Sequence, residues 1–215
     1  RDDMAGIEAS VISHPTTWQA SGHVASFSDV AVVCKKCKQA TKLDKSEVGS
    51  AKCSCCGEYE VQGEFSLMFK TNVGALKPTT AYLRGETAQA MFMDFKLVQE
   101  TARKQLPFGI AQVGRCFRNE IAPRDFIFRC REFTIGEFEF FIHPEEKTCA
   151  LLDVAHKKVK VRLLDAETQV KEKETLTSTT IGEMVKEGRL DEWHAYWLAE
   201  QLLWFDSLGL ADKIK

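Results

Sequence analysis

Apolar and polar residues alternate with two different periods along this chain, and the change of period marks its elements. Between residues 86 and 104, Ala88, Met91, Phe92, Phe95 and Val98 recur at helical spacing, which predicts one amphipathic helix. From 110 to 142 the period drops to two and strands are expected. On a strand over 112–121, Gln112, Cys116, Arg118 and Glu120 share one face, while Val113, Phe117 and Ile121 share the other. A second strand from Phe133 puts Ile135, Glu137, Glu139 and Phe141 on the face of Phe133 itself. The apolar run at 65–69 suits a buried strand, 159–164 a charged strand and 175–180 a polar link. A closing helix over 191–208 carries Trp193, Trp197 and Phe205 among its apolar residues. Residues 1–33 read as strand and loop, with Pro15 and Ser21-Gly22-His23 interrupting regular structure.

Composition narrows the picture in three ways. With 215 residues, 44% hydrophobic and 28% charged, the chain can bury a substantial core of one or two domains. No apolar run approaches the roughly 20 residues that cross a bilayer, so no membrane contact is expected. A net charge of −2 gives no overall attraction to nucleic acid. One local excess lies at 103–131, where Arg103, Lys104, Arg115, Arg118, Arg124, Arg129 and Arg131 outnumber Glu120 and Asp125. Opening on Arg1 rather than Met, the chain reads as a piece of a longer protein.

Five of the eight cysteines fall between Cys34 and Cys56. Cys34-x2-Cys37, fifteen residues, and Cys53-x2-Cys56 form the spacing of a four-cysteine structural zinc site. Cys55 offers a third thiol for the last two places, and spacing favours Cys53 and Cys56. Cys116, Cys130 and Cys149 stand singly. This is the distribution of a metal module plus ordinary thiols in a reducing cytosol, not of a disulfide framework. The five histidines (14, 23, 143, 156 and 194) are dispersed and read as loop or packing residues.

The two alternating strands carry the candidate chemistry. Arg118 and Glu120 on one sheet face cost free energy unless something polar meets them. That partner is either a mutual salt bridge on a solvated face or a bound polar ligand. The second strand favours a ligand, because an aromatic ring precedes two carboxylates. At ~3.3 Å per residue, Glu137 lies roughly 13 Å from Phe133, the span from an adenine ring to a small acyl group. Arg124, Arg129 and Arg131 lie in or beside the connecting loop, where guanidinium forks can clamp phosphates. Mg²⁺ would bridge the phosphate oxygens.

These stretches resemble a known family. His14-Pro15-Thr16-Thr17-Trp18-Gln19-Ala20-Ser21-Gly22-His23-Val24, the paired cysteines, Leu67-Met68-Phe69-Lys70-Thr71, Tyr82-Leu83-Arg84-Gly85-Glu86-Thr87-Ala88-Gln89 and 106–114 are similar to glycyl-tRNA synthetases of the dimeric, class II kind. The run from Phe117-Arg118-Asn119-Glu120 to Phe141 resembles that family's motif 2. Departures occur at Gly85, where the family usually has proline, and at Thr134-Ile135-Gly136, where it tends to carry a bulkier polar run.

The resemblance implies an α+β fold: a class II synthetase-like antiparallel sheet flanked by helices, with a small zinc-binding insertion. Residues 1–33 would begin a catalytic domain at the tail of motif 1, and 34–61 would be the insertion. Residues 62–146 would be the core with motif 2, and 147–215 a continuation ending in a helix. Motif 3, an anticodon-binding domain and most of the motif 1 dimer helix are not recognised. The implied reaction is ATP-dependent activation of glycine to glycyl-adenylate and transfer to tRNA(Gly) in the cytoplasm. Arg118 would hold the α-phosphate and the amino-acid carbonyl, and Glu120 the adenine amine. Phe133 would stack on the base, Arg129 would reach the terminal phosphate, and Glu86 and Glu137 would bind the glycine ammonium. Structural Zn²⁺ and ATP-bound Mg²⁺ are the implied ions. The alternative is a non-catalytic, zinc-stabilised relative that binds nucleic acid or protein.

Overall fold

The computed structural model describes residues 2–43, 45–121, 123, 126–170 and 176–213, and the chain divides into two compact units, Arg1–Phe141 and Ile142–Lys215. In chain order, the first unit contains β1 (Met4–Gly6), β2 (Ile12–Ser13), α1 (Pro15–Ala20), α2 (His23–Ser26), β3 (Ser28–Cys34), β4 (Ala40–Leu43) and β5 (Tyr59–Ser66). There follow β6 (Lys70–Val73), β7 (Thr79–Leu83), α3 (Ala88–Met93), α4 (Phe95–Thr101), β8 (Phe108–Phe117) and β9 (Glu132–Phe141). The protein is thus mixed α and β, with mostly antiparallel sheets.

Among the described residues three small sheets build this unit, in the orders β1-β8-β9, β2-β7-β6 and β4-β3-β5. All pairs are antiparallel except β1 with β8. The β8–β9 hairpin is the longest ladder, pairing Phe108 with Phe141 through to Phe117 with Glu132. Its inner face begins apolar: Phe108 and Ile110 pack with Met91 and Val98 of the helices, and Phe95 and Phe141 lean on that cluster. The rings of Phe95 and Phe108 stack at 5.4 Å.

Four sequence expectations change here. Pro15 opens α1 instead of interrupting regular structure: it sits in the first turn, where no N–H is missed, and the His14 ring accepts from the Thr16 N–H. The helix expected over 86–104 is two pieces, because Asp94 (φ −91°, ψ 4°) leaves helical geometry between α3 and α4. The expected 65–69 strand is the end of β5, which stops at Ser66. The strand expected to reach 121 ends at Phe117. Asn119 donates its N–H to the Leu67 carbonyl (2.8 Å) and Glu120 to that of Arg118 (2.8 Å), so the chain leaves its hairpin partner.

The second unit contains α5 (Val154–Lys157), β10 (Lys160–Leu163), α6 (Ala166–Val170), β11 (Thr177–Thr180), α7 (Ile181–Lys186) and α8 (Glu192–Ser207). β10 and β11 form an antiparallel pair. The α7 entry is a capping box: Thr180 accepts from the Glu183 N–H (3.2 Å), and Glu183 accepts from that of Thr180 (2.9 Å). α8 buries Trp193, Ala195, Tyr196 and Ala199. No helix among the described residues is long and apolar enough to cross a membrane.

Candidate active site

The β8–β9 register sets the inner face of the site. Cys116 lies opposite Phe133, Gly114 opposite Ile135, Gln112 opposite Glu137 and Ile110 opposite Glu139. Under this face lies Arg84, 4% exposed, whose guanidinium donates to the carbonyls of Arg115 (2.8 Å) and Ala9 (2.9 Å). With its oxygen turned towards them, the Gln112 amide accepts from Arg84 Nη1 (2.7 Å) and the Ala9 N–H (3.0 Å). A side chain at 114 would occupy the place of the Arg84 guanidinium, which explains glycine there.

Beyond Gln112 the face turns acidic. Glu137 accepts from the Thr87 backbone N–H (2.7 Å) and from its hydroxyl. Glu86 accepts from Gln89 Nε2 (2.7 Å) and lies 3.3 Å from His23 Nε2. Burial pushes the Glu139 carboxyl up from its ordinary value, and the charges of Glu137 and Glu86 push it further. Three carboxylates from β9 and the turn before α3 therefore converge, an arrangement that favours a small cation. His23, read from sequence as a packing residue, is a partner of Glu86. Nothing in its spacing to residue 86 could have revealed this.

Arg118 and Phe133, expected at separate parts of a ligand, touch each other. The guanidinium lies 5.3 Å from the Phe133 ring centre and 5.6 Å from that of Phe27, and its Nε donates to the Gly85 carbonyl (3.3 Å). Arg118 is thereby placed beside the residue that precedes Glu86. Glu120 is 9% exposed, and its Oε2 lies 3.2 Å from Lys42 Nζ, which also lies 2.6 Å from Asp29 Oδ2. No local signal in the sequence marks Lys42.

The loop arginines divide in role. Arg131 donates to the carbonyls of Glu120 (2.9 Å) and Ile121 (3.2 Å), holding the start of the loop. Arg115 pairs with Glu132 on the outer face. Arg129 is half-buried, and Arg124 lies outside the described residues. Phe126 and Phe128 are exposed at the loop tip.

The cysteine module assembles at the end of β3. The sulfurs of Cys34, Cys37, Cys53 and Cys55 all lie within 4.8 Å of one another. Cys34 approaches Cys55 at 3.4 Å, and Cys37 approaches Cys53 at 3.6 Å. The fourth sulfur of this cluster is that of Cys55, where spacing favoured Cys56. Cys56 occupies a left-handed turn (φ 60°), its N–H bonded to the Cys53 carbonyl (2.7 Å), and its side chain is exposed outside the cluster. The Cys55 backbone N–H holds the Cys53 thiol down to about 6. The Cys34 thiol is also held down, by the Cys37 backbone N–H, while the bond to Cys34 pushes Cys55 up to about 12. Four soft donors at this separation, two of them already disposed to ionise, fit a tetrahedral zinc ion. All eight cysteines are free thiols.

No family model matches the chain. Curated relatives do: the glycine–tRNA ligase of Borrelia hermsii is 43% identical over 149 residues, covering 67% of this chain and 34% of the relative. That of Treponema denticola is 43% identical over 149 residues (66% and 33%), and that of Mesoplasma florum 40% over 169 (66% and 37%). These relatives are aminoacyl-tRNA ligases by name, and over the matched residues the chain is similar to glycyl-tRNA synthetases. It spans about a third of the length of the curated relatives it matches.

Proposed function

We propose that this chain carries part of the catalytic core of a glycine–tRNA ligase of the class II fold. The reaction is activation of glycine by ATP to glycyl-adenylate, followed by transfer to tRNA(Gly) in the cytoplasm. The observation that carries this reading is the arrangement of Arg118 beside the Glu86–Glu137–Glu139 acids, on a hairpin whose register separates those acids from Phe133. The ammonium of glycine sits against Glu86 and Glu137. Its carboxylate oxygen attacks the α-phosphorus of ATP, a new O–P bond forms, and the bond to the β-phosphate oxygen breaks to release pyrophosphate. Arg118 stabilises the charge that grows on the α-phosphate oxygens. Glu120 accepts from the adenine amine, Phe133 stacks on the base, and Arg129 meets the terminal phosphate. Mg²⁺ arriving with ATP offsets phosphate charge.

In this reading residues 34–61 form an insertion, with Cys34, Cys37, Cys53 and Cys55 holding a structural zinc. Residues 1–33 and 62–146 contribute to the catalytic domain, 147–215 continue beyond it, and the whole enzyme is a homodimer. Glycine-dependent ATP–pyrophosphate exchange, with alanine and serine as controls, tests the activity. Glu137→Ala is expected to abolish exchange while changing ATP affinity less than about threefold, since it removes an ammonium ligand and no nucleotide contact. Glycine exchange that survives this substitution would refute the pocket assignment.

A further inference from the structure

The contact between Lys42 and Glu120 joins two parts of the first unit that the reading above treats separately. Lys42 lies on β4 opposite Ala31 of β3, and Asp29 is two residues before Ala31 on the same face. This diagonal is within reach of a long side chain across a ladder, and Lys42 Nζ lies 2.6 Å from Asp29 Oδ2. The same ammonium continues to Glu120 Oε2 at 3.2 Å. The three side chains are 23%, 10% and 11% exposed, so the charges meet largely out of water. Among the described residues Lys42 is the cation that reaches the Glu120 carboxylate. The backbone at Glu120 is tied separately, by Arg131 and by the Arg118 carbonyl.

Backbone ties fix where Glu120 is, but not where its carboxylate points. Three flexible dihedrals and a repulsive neighbour, Asp29, would otherwise let it turn away. We propose that Lys42 is a positioning residue for purine recognition: it holds Oε2 of Glu120 and so presents Oε1 to the 6-amino group of ATP. This rests on the assignment of Glu120 to the adenine amine and adds to it the residue that makes the contact selective. It also makes the cysteine module part of the nucleotide site. β3, which carries Asp29, ends in Cys34, and β4, which carries Lys42, pairs with β3 along its whole length.

The test compares equilibrium binding of ATP with that of purine riboside triphosphate, which lacks only the 6-amino group. The unaltered chain is expected to prefer ATP by about tenfold or more, the scale of one hydrogen bond to a charged group. Lys42→Met is expected to bring ATP down to the level of the analogue while leaving the analogue within about twofold. The double substitution Asp29→Asn with Lys42→Met removes the repulsive neighbour as well, and serves where the single variant fails to fold. It too is expected to lack the preference. Lys42→Arg, which keeps the charge, should retain most of it. A preference that persists in a folded Lys42→Met or double variant overturns the proposal and leaves Glu120 as the reader. Equal weakening of both nucleotides also overturns it, because Lys42 then acts only on the fold. No preference in the unaltered chain refutes the role of Glu120 itself.

Discussion

Cys55 and Cys56 are adjacent in the chain and opposite in circumstance. Cys55 turns its sulfur into the cluster, while Cys56 sits in a left-handed turn with its side chain in solvent. Zinc titration followed by a competing chelator is expected to show one tight site, lost in Cys55→Ser and kept in Cys56→Ser. The reverse result would restore the spacing-based ligand set. Glu139 offers a second test at this scale. Burial and the neighbouring carboxylates raise its proton affinity in the folded state. Folding therefore opposes its ionisation, and stability is lost as pH rises above the ordinary carboxylate range towards the raised folded value. Glu139→Gln should accordingly raise the melting temperature near pH 7, with the gain vanishing near pH 4. A gain independent of pH would mean that packing, not charge, is responsible.

At the scale of elements, the β8–β9 hairpin and the buried Arg84 depend on each other. Arg84 supplies donors to two carbonyls, and Gly114 leaves room for it. Gly114→Ala is expected to displace that guanidinium from its acceptors and cost about 1–3 kcal/mol, the penalty of buried polar groups left unpaired. Urea denaturation would measure it, and an unchanged midpoint would mean that the guanidinium relocates freely. The hairpin was largely legible in the sequence, because alternation with period two is imposed by the pleat. Arg118 and Glu120 were placed on it by extending that alternation too far. Backbone bonds to residue 67, distant in sequence, end the strand at Phe117. The two helical pieces α3 and α4 were legible as one helix, since the apolar spacing passes through Asp94 without a break.

Across the whole molecule, each unit carries its own polar device. In the second unit, His156 contacts Asp153 (2.7 Å) and reaches from α5 to Glu200 of α8 (3.0 Å). Burial acts to lower its proton affinity, but the bonds to Glu200 and Asp153 outweigh it and the net shift is upward. The stabilisation is therefore complete below the ordinary histidine range and disappears as pH rises through the folded value. His156→Gln should lower the stability of this unit near pH 5.5, with the difference shrinking near pH 9; a constant difference would rule out the charged pair. Relationship to glycyl-tRNA synthetases was also legible in the sequence, from long matched runs in the first two thirds of the chain.

Local patterning by itself determined the periodic elements, the clustered thiols and the aromatic, basic and acidic residues set along two strands. Each follows from rules that act over a few residues: the helical repeat, the pleat, and knuckle spacing. Which side chains meet was decided only by tertiary structure. Lys42 with Glu120, His23 with Glu86, Arg84 beneath Gly114, and Cys55 in place of Cys56 all depend on where turns send the chain. A contact between residues 42 and 120 has no period, because packing rather than backbone geometry brings them together.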